Sequence, residues 1–184
     1  MTAYRPEFEK ALRVFASVSE AVEAAGFAPP VLVGGAAVEL YSLSGIATGD
    51  FDVVTAREDI FEQALLQHGF VRPTGTGVLQ RGWVHPDLGL GFEIVGSSVL
   101  DGLADRDRFQ LVSIADGNRF VAISVEDLIA DRMGQYASGA APEMLEQART
   151  LFSLYQDADL TYMERRIREE TANEYGVADL QPGS

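Results

Sequence analysis

Val31-Leu-Val-Gly-Gly-Ala-Ala-Val-Glu-Leu-Tyr-Ser-Leu-Ser-Gly-Ile-Ala-Thr-Gly-Asp-Phe-Asp-Val-Val54 runs from an apolar segment into a glycine pair, a short helical stretch and a second apolar segment carrying two aspartates. Alternate residues of a strand share a face, so Asp50 and Asp52 project the same way, with Cα atoms about 7 Å apart. Like charges side by side repel, and a bound cation or ligand offsets that repulsion. Divalent-metal binding beside a glycine turn is the first expectation. Each half also has an ordinary reading. Asp-x-Asp suits a solvated strand face or a turn after Thr48-Gly49, and a glycine pair suits any strand-to-helix turn. Their order and proximity make the combination far more specific than either half.

Outward from this stretch, the spacing of Phe8, Leu12, Phe15, Val18 and Val22 predicts an amphipathic helix over 6–25, with Pro6 near its start. Pro29-Pro30 ends helical tendency before a strand at Val31–Val33. A helix over Ala36–Leu43, a strand at Phe51–Val54 and a helix over 57–68 follow. Between 70 and 122 the runs Val78–Val84, Gly91–Val95, Phe109–Ile114 and Phe120–Ile123 read as strands of a mixed sheet. A short helix is expected around 98–104, and Asp116-Gly117 is a hairpin turn signal. Ser124 with Asp127 resembles a capping box, and helices are expected at 125–137, 142–156 and 159–175. The fold class is therefore α/β (α+β): a small mixed β-sheet flanked by helices, with a C-terminal helical extension. The expected division is a core with its N-terminal helix over 1–123, a helical extension packed on it over 124–178, and a frayed tail over 179–184.

The chain has 184 residues, 47% of them hydrophobic and 23% charged, enough for a sizeable core. It has no cysteine, which excludes disulfides, thiolate metal sites and cysteine nucleophiles. Only His68 and His85 are present, too few for a histidine-rich metal site. No long apolar run or basic-then-apolar leader pattern occurs, so a soluble cytoplasmic protein without membrane association is expected. The formal net charge of −14 repels nucleic acid at long range. All the basic residues except Lys10 are arginine, the side chain suited to bidentate phosphate contacts. RNA binding would need a local arginine patch on an acidic body.

A third carboxylate stands at Glu93, within Leu90-Gly-Phe-Glu-Ile-Val95. It alternates with apolar residues on a strand that could lie beside Phe51–Val54. Magnesium takes hard oxygen ligands, and carboxylates converging from more than one segment can build a two-metal site. Arg57, Arg81, Trp83 and His85 could meet a ligand, but surface placement, packing and turn roles explain them more simply. Arg165, Arg166 and Arg168 are flanked by Glu164, Glu169 and Glu170, which favours a solvated helix with ion pairs.

These pieces resemble the nucleotidyltransferase superfamily that includes polymerase beta, and specifically its small bacterial branch of minimal nucleotidyltransferases and AbiEii-type toxins. The similarity is carried by Val33-Gly34-Gly35-Ala36, by Ala47-Thr48-Gly49-Asp50-Phe51-Asp52-Val53-Val54, by His68-Gly69-Phe70 and by Phe92-Glu93-Ile94. Ile123-Ser-Val-Glu-Asp-Leu-Ile129 with Arg132 is similar to the start of the family's C-terminal helical part. The resemblance implies a Mg²⁺-dependent transfer of a nucleoside monophosphate from NTP to an acceptor hydroxyl. Asp50, Asp52 and Glu93 would be the catalytic, metal-holding residues. Gly34, Gly35, Ala36, Thr48 and Arg132 would bind the nucleotide. The implied acceptor is RNA, such as a tRNA end, or a protein, and an antitoxin is an implied partner. Ala36 lacks the hydroxyl common in the family's glycine motif, and Ile46-Ala47 lacks a basic residue. The alternative is a catalytically weakened protein of this fold that binds nucleotide or a partner. A purely structural α/β module would require the carboxylate trio to be coincidence.

Overall fold

A computed structural model describes residues 4–73, 82–115 and 117–181. The chain divides into two compact units, Met1–Ala122 and Ile123–Ser184.

The first unit is a six-stranded mixed sheet with helices. In chain order it contains α1 (Pro6–Ala24), β1 (Val31–Val33), α2 (Gly34–Tyr41), β2 (Asp50–Val54), α3 (Glu58–Gln67), β3 (Trp83–Val84), β4 (Gly91–Gly96), β5 (Gln110–Ser113) and β6 (Arg119–Ala122). The strands lie in the order β3-β4-β2-β1-β6-β5. β1 runs antiparallel to β2 and parallel to β6, while β2 and β4 are parallel. Parallel neighbours cannot be joined by a tight turn, so α3 lies in the connection between β2 and β4. The expected α/β class with a small mixed sheet is what the chain forms.

The periodicity of α1 has a direct consequence in packing. Phe8, Leu12, Phe15 and Val22 are buried along one stripe of the helix. Phe15 meets Phe92 and Phe120, with ring centroids at 5.8 and 5.4 Å, and Phe51 stacks on Phe92 at 4.8 Å. Phe51, Phe92 and Phe120 come from β2, β4 and β6, so one face of the sheet is an aromatic core under α1. Strand alternation then sends Asp50, Asp52 and Glu93 to the other face.

Several boundaries differ from the sequence expectation. α2 begins at Gly34, so the glycine pair is the helix's own first turn rather than a loop before Ala36. The segment around 98–104 contains a 3₁₀ turn, Val99–Gly102, in which Leu100 and Asp101 have positive φ and stop a longer helix. Of the strand expected at Val78–Val84, Trp83–Val84 is β3, and Val78–Arg81 lie outside the described residues, as does Asp116 of the expected hairpin turn.

The second unit contains α4 (Val125–Ala137), α5 (Met144–Leu154), α6 (Leu160–Glu170) and a 3₁₀ turn at Val177–Leu180. Ser124 caps α4, its Oγ accepting from the Asp127 amide at 3.1 Å. α6 stops before the expected 175 because Ala172 and Asn173 take up positive φ. Arg166 corrects the solvated-helix reading, since its side chain is fully buried. Its Nε donates to Asp127 Oδ1 at 2.8 Å, Nη2 donates to Glu170 Oε1 at 2.5 Å, and Nη1 donates to Glu169. Tyr162 also donates to Asp127, at 2.9 Å, so the buried cation and anion are both satisfied. Of the frayed tail expected over 179–184, Asp179 and Leu180 are held in place, and 182–184 lie outside the described residues. Asp179 accepts from the Gly176 amide at 2.8 Å, Arg149 donates to the Asp179 carbonyl, and Leu180 is buried. Apolar burial and these bonds hold the chain in place through that turn.

Candidate functional site

The site is built where β1 hands over to α2. Gly34 has φ +61°, in the left-handed region, and a Cβ placed on it would lie 2.1 Å from Asp52 Oδ2. Only glycine meets both conditions. The Gly35 amide points at the same oxygen, donating to Asp52 Oδ2 at 3.4 Å, and a Cβ on Gly35 would lie 2.5 Å from Thr48 Oγ1. Asp52 is thus seated against the N-terminal turn of α2, where exposed amides and the helix dipole favour negative charge.

The register fixes the other carboxylates. Asp52 pairs with Glu93 across β2 and β4, and with Val33 across β2 and β1. Neighbouring strands lie about 4.8 Å apart, so Asp52 and Glu93 are adjacent on the face away from α1. Asp50 is two residues along β2 on that face, and its Oδ1 accepts from the Gly91 amide at 3.0 Å. Asp50 is exposed, whereas Asp52 and Glu93 are half-buried.

This donor set suits magnesium by chemistry, being all hard carboxylate oxygen beside a turn of backbone N–H groups. Among the described residues no three His, Cys, Asp or Glu side chains form a metal cage by themselves. Magnesium is usually held by one or two protein carboxylates, with substrate phosphates and water completing the octahedron.

Thr48 joins the site through the loop that delivers β2. Its hydroxyl donates to the Asp50 carbonyl at 3.1 Å. Its amide donates to Glu39 Oε2 at 2.6 Å, and its carbonyl accepts from Arg5 Nη2 at 2.7 Å. Glu39, fully buried on α2, is the hub of this loop. Arg5 Nε donates to Oε1 at 2.5 Å, Nη2 donates to Oε2 at 3.0 Å, and the Ser44 hydroxyl donates to Oε1 at 2.9 Å. Burial pushes the Glu39 carboxyl up, but the Arg5, Thr48 and Ser44 hydrogen bonds outweigh it and hold the group below its ordinary value. Sequence reasoning overlooked Arg5 and Glu39. The available signal was a carboxylate set in Ala36-Ala-Val-Glu-Leu40, where an unpartnered charge would be prohibitive.

Two expected ligand residues are corrected. Ala36 has no exposed surface, so it belongs to the core rather than to a phosphate-facing turn. Arg132, expected to be free for phosphate, is nearly buried in the helical unit. Its Nε and Nη2 donate to Asp131 Oδ2 at 3.0 and 2.5 Å, and Nη1 meets Met144 sulfur at 3.2 Å. Among the remaining candidates, Arg57 is held by Asp59 and lies over Phe27. Trp83 is buried under Arg72, and His85 Nδ1 accepts from the Asp87 amide within its turn. Arg81 lies outside the described residues.

No protein-family model and no curated protein matches the chain. Solved structures do. The antibiotic-resistance factor ANT(2'')-Ia in solution matches with a TM-score of 0.56 at 15% identity, over 89% of this chain and 92% of that one. The crystal structure of ANT(2'')-Ia in complex with adenylyl-2''-tobramycin also gives 0.56 at 15% identity, over 90% and 99%. An antigenic nucleotidyltransferase-like protein from Paracoccidioides brasiliensis gives 0.60 at 17% identity, over 92% and 88%. The chain has a nucleotidyltransferase-like fold. Within that fold, the Gly34-Gly35 turn and the carboxylates of β2 and β4 come together on one sheet face. Among the described residues no helix is long and apolar enough to cross a membrane.

Proposed function

We propose that this protein is a Mg²⁺-dependent nucleotidyltransferase acting on an acceptor hydroxyl. The observation that carries the reading is the seat of Asp52, held between the Gly35 amide and the β4 position of Glu93. In the reaction, the acceptor oxygen attacks the α-phosphorus of an NTP, the bond from that phosphorus to the bridging oxygen breaks, and pyrophosphate leaves. Asp50 and Asp52 hold the cation, and Glu93 completes the set and draws the acceptor proton. Mg²⁺, when bound, neutralises charge on the transferring and leaving phosphates. The Gly34-Gly35 turn brings backbone amides to the triphosphate without a side chain in the way. Ala36 plays no part, so the missing hydroxyl removes no contact to phosphate at that position.

The acceptor divides into two classes. The net charge of −14 and the adenylyl-2''-tobramycin complex of a neighbour favour a small polycationic sugar. The motif order of the first unit, similar to the toxin branch, supports an RNA or protein acceptor and an antitoxin partner. Incubation with each α-labelled NTP, Mg²⁺ and either tobramycin, total RNA or cell protein separates them. Label is expected to reach one acceptor class and to be lost in Asp52→Asn, with the variant melting within a few degrees of the native protein. Nucleotide-dependent thermal stabilisation with no transfer to any class would replace the enzyme with a nucleotide-binding module.

A further inference from the structure

The carboxylate face of the sheet carries a second feature, which the transfer chemistry leaves unused. Leu111, Val121, Val31 and Val54 are direct cross-strand partners in β5, β6, β1 and β2, forming one apolar row. Val54 lies two residues along β2 from Asp52, so the row is on the same face, displaced toward the opposite end of β1 from Gly34. It floors a cavity of about 320 Å³, at the lower end of the range of small-molecule clefts. Phe109 supplies an aromatic wall. Arg106 also lines the cavity, and among the described residues its side chain makes no hydrogen bond or ion pair. Most arginines with described partners in this acidic chain are matched with a carboxylate, as Arg5, Arg13, Arg57, Arg72 and Arg108 are.

An apolar floor with an aromatic wall selects a flat or branched hydrocarbon body. An uncommitted arginine among its lining residues selects a planar anion, because the guanidinium fork matches a carboxylate bidentately. The acidic surroundings disfavour anions elsewhere on the surface, so the charge specificity is local to Arg106. We propose that this cavity is a binding site for a small apolar organic monoanion, of about naphthalene size, separate from the nucleotide and metal residues. It goes beyond the transfer reaction, and its test does not depend on turnover.

The test uses the intact chain and two dyes of similar body, 8-anilinonaphthalene-1-sulfonate and the uncharged N-phenyl-1-naphthylamine, in fluorescence titrations. The sulfonate is expected to bind saturably at one site. Arg106→Gln, an exposed change, should weaken the sulfonate roughly tenfold or more while leaving the uncharged dye within about twofold. Val121→Phe should fill the floor and weaken both dyes. Unchanged sulfonate affinity in Arg106→Gln overturns the proposal, and so does native binding of both dyes by Val121→Phe. Arg106→Gln alone decides the outcome if Val121→Phe melts without cooperativity. Displacement of the sulfonate by a simple aromatic carboxylate, but not by inorganic phosphate, would identify the anion class. Displacement by phosphate alone would overturn it.

Discussion

At Gly34 one residue answers to two demands, a left-handed backbone and a carboxylate oxygen where a Cβ would stand. Replacing Gly34 with Ala adds strain of about 1–2 kcal/mol from the backbone alone and forces Asp52 aside. Urea denaturation should show a loss of roughly 2 kcal/mol or more, and nucleotidyl transfer should fall with it. A native denaturation midpoint with native transfer would mean that Asp52 need not lie against this turn. Ala36 makes the opposite case. Family resemblance suggests that Ser at position 36 would restore a phosphate contact, whereas burial predicts that the added hydroxyl meets only core. Ala36→Ser should lower stability by about 1–3 kcal/mol with no gain in transfer rate. A faster enzyme of unchanged melting temperature would return Ala36 to the ligand surface.

The element that matters most is the loop from α2 to β2, because it sets where Asp50 and Asp52 begin. Leu43 and Ser44 both have positive φ, an unfavourable arrangement for side-chain-bearing residues, and Glu39 ties that turn to Thr48 and Arg5. Glu39→Gln removes the buried charge, leaving Arg5 without its carboxylate partner. The loss should be about 3 kcal/mol, at the low end for a broken buried pair because Arg5 keeps some access to water. The sign of its pH dependence follows from the lowered carboxyl. A group held below its ordinary value of 4.5 contributes its full stability above that value, and the contribution disappears as pH falls through the folded-state value. Acid unfolding followed by circular dichroism should therefore be less steep below about pH 4.5 in Glu39→Gln than in the native chain. Equal steepness would show that other carboxylates dominate. This loop also marks the limit of what could be read from the sequence. The shared sheet face of Asp50, Asp52 and Glu93 was legible because strand alternation is a local pattern, as were α1, β1 and α4 with its Ser124 cap. Arg5 and Glu39 are 34 positions apart, and their pairing depends on where the start of α1 is carried by tertiary packing. Burial decided Ala36 and Arg166 in the same way. Neither residue type reveals from sequence which side of its helix will be covered.

Across the whole molecule, the distribution of charge discriminates among ligands better than its total. The fourteen basic residues suggest material for a phosphate-binding patch, yet many of those described are consumed by neighbouring carboxylates. Arg132 is paired with Asp131, Arg165 and Arg168 with Glu169 and Glu164, and Arg166 with three acids at once. A triphosphate approaching this chain therefore meets net repulsion from a body of charge −14, with few free cations among the described residues to offset it. Under the proposed function, binding draws on a metal ion gathered by Asp50 and Asp52, and on the amides at the start of α2. Calorimetric titration with a non-hydrolysable NTP should then give an affinity at least roughly tenfold weaker in EDTA than with Mg²⁺. The residual metal-free binding should strengthen as salt is raised, since screening over about 10 Å at 0.1 M relieves repulsion. Binding through an arginine patch would do the reverse and weaken with salt. Affinity indifferent to EDTA, combined with weakening by salt, would remove the carboxylates from nucleotide binding and with them the proposed chemistry.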